Sequence, residues 1–255
     1  MKRILYFTIK TDNGYGISAR SILEVFFKLK DVEVDVVYLN DPAFRNQKLK
    51  DEYDIAIHHT APNNLMQDYQ NNGYLKMAMS RAKKKYQYVL WETDRLPSGI
   101  VEFFKSDNLD GFICPSHFTE GLVKDFGKEI HYIPITQDDI SYHPDKRPKN
   151  SLTFNVVTVA QLSVRKAIDV SVCAFVNAFK DIPNKAKYYI KIGEKLDNMD
   201  VGNLIKANIG RSLLPNHGNI YVIDRFLSQA ELESLYLNSH CYLHLSRGEG
   251  FGMTP

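Results

Sequence analysis

Arg165 and Lys166 stand side by side after an apolar run of strand character and directly before a run of helical period, Ala167–Phe179. Two fixed cations at a helix N-terminus suit an anion on which charge builds during a reaction. A leaving diphosphate is the clearest case, because the exposed N–H groups and the helix dipole act in the same direction as the cations. Glu249 occupies a second such place: it follows the strand-like run Cys241–Leu245, and Gly250 and Gly252 beside it let the backbone approach a ligand closely. Alone, an Arg-Lys pair is surface charge and a glycine-flanked acid is an exposed turn. Their joint occurrence at two strand ends of one half of the chain is what marks a site.

Three further groupings follow predicted strands. Gly14-Tyr15-Gly16-Ile17-Ser18-Ala19 matches the glycine-x-glycine-x-x-alanine fingerprint of phosphate-binding turns, although Lys10–Asn13 separate it from the strand where a dinucleotide turn would be tight. The bland reading is a flexible turn feeding a helix. His58-His59 end the strand Tyr53–His58, and one of the two could face a cleft; a buried hydrogen-bonder beside a surface residue is the alternative. No carboxylate or cysteine at ligand spacing joins them, so no metal is expected. Trp91-Glu92-Thr93-Asp94-Arg95 combines an aromatic ring with two carboxylates, a mixture that suits stacking on a sugar and hydrogen bonding to its hydroxyls, or simply a capping loop.

These residues need strands to project them. Short β-branched and aromatic runs alternate with helical stretches, which predicts an α/β chain with parallel sheets. The first half offers strands at Arg3–Ile9, Glu33–Leu39, Tyr53–His58, Tyr86–Trp91, Asp110–Cys114 and Glu129–Ile133, and helices at Ile17–Leu29 and from Ser116 to about Gly127. The helix Ile17–Leu29 is expected to bury Ile22, Leu23, Phe26, Phe27 and Leu29 on one stripe. Between Pro134 and Leu152 the pattern breaks into prolines and charges, which divides the chain into a domain 1–143, a linker 144–151 and a domain 152–255. The second domain restarts with strand Thr153–Ala160, helix Ala167–Phe179, strand Lys187–Ile192, a helix near Val201–Ile209, strand Asn219–Ile223, a helix Ser228–Asn238 opened by a capping box, and strand Cys241–Leu245. No helix follows that last strand, so the expectation is an incomplete second domain.

Composition narrows the partners. Thirty-two basic against 30 acidic residues, net +2, argue against a dedicated nucleic-acid binder and leave small anions open. Three scattered cysteines fit a reducing compartment, and the apolar run after Met1 is too short for a signal peptide, so the expected location is the cytoplasm. The basic run Arg81, Lys83, Lys84 and Lys85, read as a solvated helix end with Met77, Met79 and Tyr86 nearby, is a candidate for peripheral contact with anionic lipid.

The stretch Phe154–Asp169, followed in order by Ser228–Asn238 and Ser246–Gly252, resembles the retaining, metal-independent glycosyltransferases of the GT-B fold, especially their family 4 group. Ile113–Phe118 and Ile133–Ile135 look like that family's approach to its interdomain linker. The resemblance implies two Rossmann-like domains, no cofactor, and a nucleotide-diphosphate sugar as co-substrate. The acceptor would be a glycan, a lipid-linked saccharide or a small molecule. By resemblance Arg165 and Lys166 hold the donor diphosphate, Glu249 the sugar hydroxyls, and the amides of Gly250, Phe251 and Gly252 the sugar and phosphate. Gly14 and Gly16 close over the donor, His59 contacts sugar or acceptor at the reaction centre with His58 as the fallback, and Trp91, Glu92 and Asp94 face the acceptor. Gln161 departs from the pattern, since many members carry a further arginine there, and Ala167 replaces the usual glycine after the basic pair. The family's second glutamate, eight positions after the first, would fall two residues past Pro255, which reads as truncation within the acidic motif. Two alternatives remain beside the transferase: a non-catalytic nucleotide-sugar-binding fragment, and a nicotinamide-dependent oxidoreductase resting on Gly14–Ala19.

Overall fold

A computed structural model describes residues 1–11, 14–135, 152–195, 203 and 219–252. The described chain divides into two units, Met1–Asp138 with Glu249–Met253, and Asp139–Gly248 with Thr254–Pro255. The expected linker 144–151 and, apart from Asn203, the expected helix at 201–209 lie outside the described residues.

The first unit is a six-stranded sheet: β1 (Lys2–Thr8), β2 (Val32–Tyr38), β3 (Tyr53–His58), β4 (Ala82–Tyr88), β5 (Gly111–Cys114) and β6 (Glu129–Tyr132). Every pair is parallel, in the order β2-β1-β3-β4-β5-β6. Parallel strands need both faces covered, and β1 shows how its sequence achieves this. Ile4 and Tyr6 join a cluster with Ala19 and Leu23 of α1 (Gly14–Lys28), while the alternate residues Leu5 and Phe7 join the larger cluster on the other side. That larger cluster takes Leu65 from α2 (Pro62–Gln70), Met79 from α3 (Tyr74–Met79), Phe104 from α4 (Ser98–Lys105) and Val123 from α5 (His117–Val123). Gly127, in the left-handed region at φ 69°, stops the chain after α5, at the expected place.

Two expectations need correction here. The basic run is the start of β4, not a helix end. Two of its lysines pair with acids of other strands, Lys83 with Asp54 of the adjacent β3 at 3.2 Å and Lys84 with Glu129 of β6, two strands away, at 2.8 Å, while Arg81 donates to the carbonyls of Leu49 and Lys50. Helix α1 starts at Gly14, and its buried stripe is narrower than predicted. Leu23 is enclosed and Ile22 and Phe26 half-buried, but Phe27 and Leu29 are exposed, because a helix on one face of a sheet buries roughly a third of its circumference.

The second unit is a four-stranded parallel sheet, β7 (Phe154–Leu162), β8 (Ala186–Lys195), β9 (Ile220–Ile223) and β10 (Cys241–Tyr242), ordered β10-β7-β8-β9. Helix α6 (Ile168–Ala178) seals it with Ile168, Val172, Phe175 and Val176 against Val156, Tyr188 and Ile190. Helix α7 (Gln229–Leu237) has the predicted capping box: the Ser228 hydroxyl accepts from the Glu231 amide, and the Glu231 carboxylate accepts from the Ser228 amide at 2.8 Å. Hydrogen bonds from the Arg225 guanidinium and from the amide and hydroxyl of Ser228 hold the Glu231 carboxyl at about 2.

Candidate functional site

Each sheet has one place where the strand order reverses, and loops leaving the carboxyl ends there part to opposite faces, opening a crevice. In the second unit this point lies between β7 and β10. Arg165 and Lys166 leave β7 there, in a tight turn from Val164 to Lys166, and Ser246–Gly248 follow β10. The two loops are tied together. The Arg165 guanidinium donates to the Gly248 carbonyl at 2.8 Å, and the Arg165 carbonyl accepts from the Arg247 amide at 2.8 Å and the Ser246 hydroxyl at 3.3 Å. The pairing of β7 with β8 slips between Ala160 and Leu162, so a bulge at Gln161 re-aims the strand end just before the basic pair.

Ala167 links that pair to α6. Its backbone is left-handed, φ 49° and ψ 40°, a conformation that costs an L-residue about 1–2 kcal/mol and glycine little. The physical reason for glycine at this position in the resembled family is therefore visible here. Ala167 also makes α6 begin with no side-chain cap, beside Arg165 and Lys166, both half-buried. Asp169 in the same turn is held by Arg247 at 3.2 Å, an exposed pair worth under about 1 kcal/mol that offsets the acid's charge at the helix start.

In the first unit the order reverses between β1 and β3. Gly14 and Gly16 lie here, inside the first turn of α1 and not in a loop before it. Gly16 is buried, and a methyl group added to it would stand 2.0 Å from the Thr11 carbonyl oxygen, so the chain closes on itself in a way that excludes any side chain. His58 and His59 are both fully enclosed, which corrects the expectation that one of them faces a cleft. Both nitrogens of each ring have protein partners. His59 bonds to the Tyr6 hydroxyl through Nδ1 and to Ser18 Oγ through Nε2 at 3.0 Å, and it stacks on Tyr88 at 3.9 Å and 20°. His58 meets Gln87 Oε1 at 2.8 Å and Thr60 Oγ1 at 3.0 Å. Burial pushes the His59 imidazole down to about 3, helped by His58, and His58 down to about 4 against the opposing Gln87 hydrogen bond, so both are neutral near pH 7.

Glu249–Gly252 were expected with the second domain, but their contacts place them in the first unit. The Ser116 hydroxyl donates to the Gly250 carbonyl at 2.7 Å, and Phe251 packs against the cluster that contains Tyr88 and Ile113. A methyl group at Gly250 would lie 2.9 Å from the Trp91 carbonyl oxygen and 3.0 Å from its nitrogen, so only glycine fits this seat. Glu249 itself is half-buried, and Gly252 turns at φ 78°. Trp91 is half-buried against the larger cluster, with its indole N–H spent within its own turn, on Thr93 Oγ1 at 2.8 Å and the Arg95 carbonyl at 2.9 Å. Glu92 is half-buried and Asp94 exposed.

Tyr6, Ser18, Gln87 and the seat formed by Ser116 were not singled out from sequence. Their one signal was polarity inside apolar strand or helix patterns, at positions where a buried group must find a partner. A cleft of about 370 Å³ in the second unit, lined by Asn155, Tyr189, Arg225, Leu227, Leu235 and Ser239 among others, contains none of the predicted site residues. Strand-end geometry is the better guide here, because the cleft flanks α7 and not the reversal point. Among the described residues no group of three or more His, Cys, Asp or Glu could hold a metal ion, and no helix is long and apolar enough to cross a membrane.

No family model matches the sequence. The GtfA subunit of the UDP-N-acetylglucosamine–peptide N-acetylglucosaminyltransferase of Streptococcus agalactiae is 26% identical over 159 residues, covering 60% of this chain. Among solved structures, S. aureus TarM in complex with fondaparinux, α-GlcNAc-glycerol and UDP superposes with a TM-score of 0.55 at 19% identity, over 80% of this chain and 39% of its own. Anabaena Alr3699/HepE in complex with UDP-glucose reaches 0.64 at 12% identity, over 96% and 74%. The fold is thus that of the GT-B glycosyltransferases, α/β with two parallel sheets. The chain spans 29% of the curated relative's length.

Proposed function

We propose that this chain carries the donor-binding core of a glycosyltransferase that moves a sugar from a UDP-sugar to an acceptor with retention of configuration. The observation that carries the reading is the placement of Arg165 and Lys166 at the reversal point of the second sheet, beside the uncapped start of α6. Cations, a helix start without a side-chain cap and a crevice at the strand ends suit a diphosphate as negative charge grows on it. The relatives supply the nucleotide: one is named for UDP-N-acetylglucosamine, and two solved structures hold UDP or UDP-glucose.

In this reading Arg165 and Lys166 bind the diphosphate, Glu249 the sugar hydroxyls, and the amides of Gly250, Phe251 and Gly252 the sugar and phosphate, with Gly14 and Gly16 over the donor. The bond from the anomeric carbon to the diphosphate oxygen breaks as the acceptor oxygen bonds on the same face. The acceptor's proton passes to the departing phosphate oxygen, so the reaction calls for no separate protein base. Glu92 and Asp94, on the turn fastened by Trp91, are the acceptor-side candidates. Enclosure of His58 and His59 takes both out of direct contact with substrate. Lipid contact through Arg81, Lys83, Lys84 and Lys85 has weaker grounds, since carboxylates and carbonyls already engage the side chains of Arg81, Lys83 and Lys84.

Calorimetric titration with UDP, UDP-N-acetylglucosamine and UDP-glucose tests the proposal. Saturable binding that weakens at least tenfold in Lys166→Ala is expected, and no binding to any of the three sinks it. Binding without transfer or hydrolysis in the presence of glycan and peptide acceptors selects the non-catalytic alternative. The nicotinamide reading has lost its main support, because residues 9–13 part the strand from Gly14 and both glycines lie within the helix; tight NAD binding would revive it.

A further inference from the structure

We infer that His59 is a positioning residue: through a one-directional chain of hydrogen bonds from Tyr6 to Ser18, it holds the first turn of α1 against the β1–β3 crevice without touching substrate. Counting donors gives the direction. The enclosed Tyr6 hydroxyl has His59 Nδ1 as its hydrogen-bond partner, so its single hydrogen is given there. A neutral ring that accepts at Nδ1 carries its proton at Nε2 and donates it to Ser18 Oγ. The Ser18 hydrogen is then free for the Tyr15 carbonyl oxygen at 3.0 Å, which can only accept. The relay therefore runs from β1 through the residue after β3 to a carbonyl in the first turn of α1. The same turn is fastened from its outer end by Tyr15, whose hydroxyl donates to the Leu90 carbonyl at 3.0 Å.

The adjacent histidine has the opposite tautomer. Gln87 Nε2 donates to the carbonyls of Thr60 at 2.9 Å and Tyr88 at 2.7 Å, which orients the amide and turns Oε1 toward His58. His58 Nδ1 must carry the proton, and Nε2 accepts from the Thr60 hydroxyl. Two neighbouring imidazoles, each enclosed and each with both nitrogens committed, thus brace different elements: His58 ties β3 to β4, and His59 ties β1 to α1. His59 is further fixed by its stack on Tyr88 and by its amide, which donates to the Phe7 carbonyl at 2.8 Å. That the braced turn serves a nucleotide sugar rests on the transferase reading. The direction of the hydrogen bonds does not.

The test uses the full 255-residue chain, isotopically labelled. Long-range proton–nitrogen spectra at neutral pH are expected to show His59 protonated at Nε2 and His58 at Nδ1; His59 protonated at Nδ1, or as imidazolium, overturns the inference. Two variants then cut the relay at either end. Tyr6→Phe removes one oxygen at nearly constant shape, and Ser18→Ala removes the acceptor. In either variant amide exchange across Ile17–Ser21 should quicken at least tenfold while α4 stays within twofold, and uniform change or no change overturns the inference. Tyr6→Phe should also weaken UDP-N-acetylglucosamine binding about three- to tenfold, and a nuclear Overhauser contact between the His59 ring and bound sugar would overturn the positioning role. If the wild-type chain binds no nucleotide sugar, the transferase reading fails, while the tautomers and the exchange pattern still decide the role of His59.

Discussion

The two reversal points do opposite things with polar groups. At β1–β3 the side chains of Tyr6, His58 and His59 are enclosed and uncharged, Tyr6 bonded to His59 and His58 to Gln87, and the main chain is packed so tightly at Gly16 that a methyl group has no room. At β7–β10 the cations Arg165 and Lys166 are half-buried, the helix behind them begins uncapped, and the residue joining them is held in a left-handed conformation. One crevice commits its polar groups to its own rigidity. The other has half-buried cations beside a helix start without a side-chain cap, at a local cost in backbone strain.

Acid should break this contrast most strongly. An unfolded histidine titrates near 6.5, whereas in the native chain His58 holds out to about 4 and His59 to about 3. Above pH 6.5 neither state is protonated and nothing is lost. Below it the unfolded chain takes up protons that the native one refuses, so stability falls with pH until the native values are reached. The slope approaches about 1.4 kcal/mol per pH unit for each ring, so the pair removes roughly 3 kcal/mol between pH 6.5 and pH 5. Chemical denaturation across that range checks it, and replacing both histidines with glutamine should flatten the slope. Gly16→Ala comes next: the displaced Thr11 carbonyl should destabilise the first unit by about 3 kcal/mol, read from the denaturation midpoint. At the other crevice Lys166→Ala should leave the midpoint within about 0.5 kcal/mol but weaken UDP binding by about 2 kcal/mol, near thirtyfold. The smallest change should be Ala167→Gly. Relief of left-handed strain is offset by the lost buried methyl and the freer unfolded chain, so stability should move by less than about 1 kcal/mol, whereas Ala167→Val should fall by more than 2 kcal/mol.

Much of this frame was legible in the chain. Alternation placed β1, β2, β3, β5 and β6 within a residue or two, because each is a short apolar run bounded by polar turns. The capping box at Ser228 was equally plain, since its two residues recognise each other over three positions. What escaped depended on distant partners. Ala82–Lys85 looked unlike strand because the sequence cannot show that Asp54 and Glu129 wait on other strands of the same sheet. His58 and His59 carried no mark of enclosure, as the groups that satisfy them come from β1, α1 and β4. The basic pair at Arg165 was found at its strand end, but the strain at Ala167 required backbone angles. The seat of Gly250 lay furthest out of reach, with its hydrogen bond spanning 134 positions.

That seat has a spectroscopic consequence. Trp91 is the protein's one tryptophan, and its main chain is what Gly250 rests against. Light absorbed at the red edge of the protein spectrum is therefore emitted from a single address, beside the stretch that carries Glu249. During synthesis Trp91 emerges long before Gly250 exists, so its emission should shift once when the first sheet packs and again when the glycine arrives. In the finished protein the same emission gives a label-free signal of whether that stretch is seated, readable in a stopped-flow cell without altering a residue.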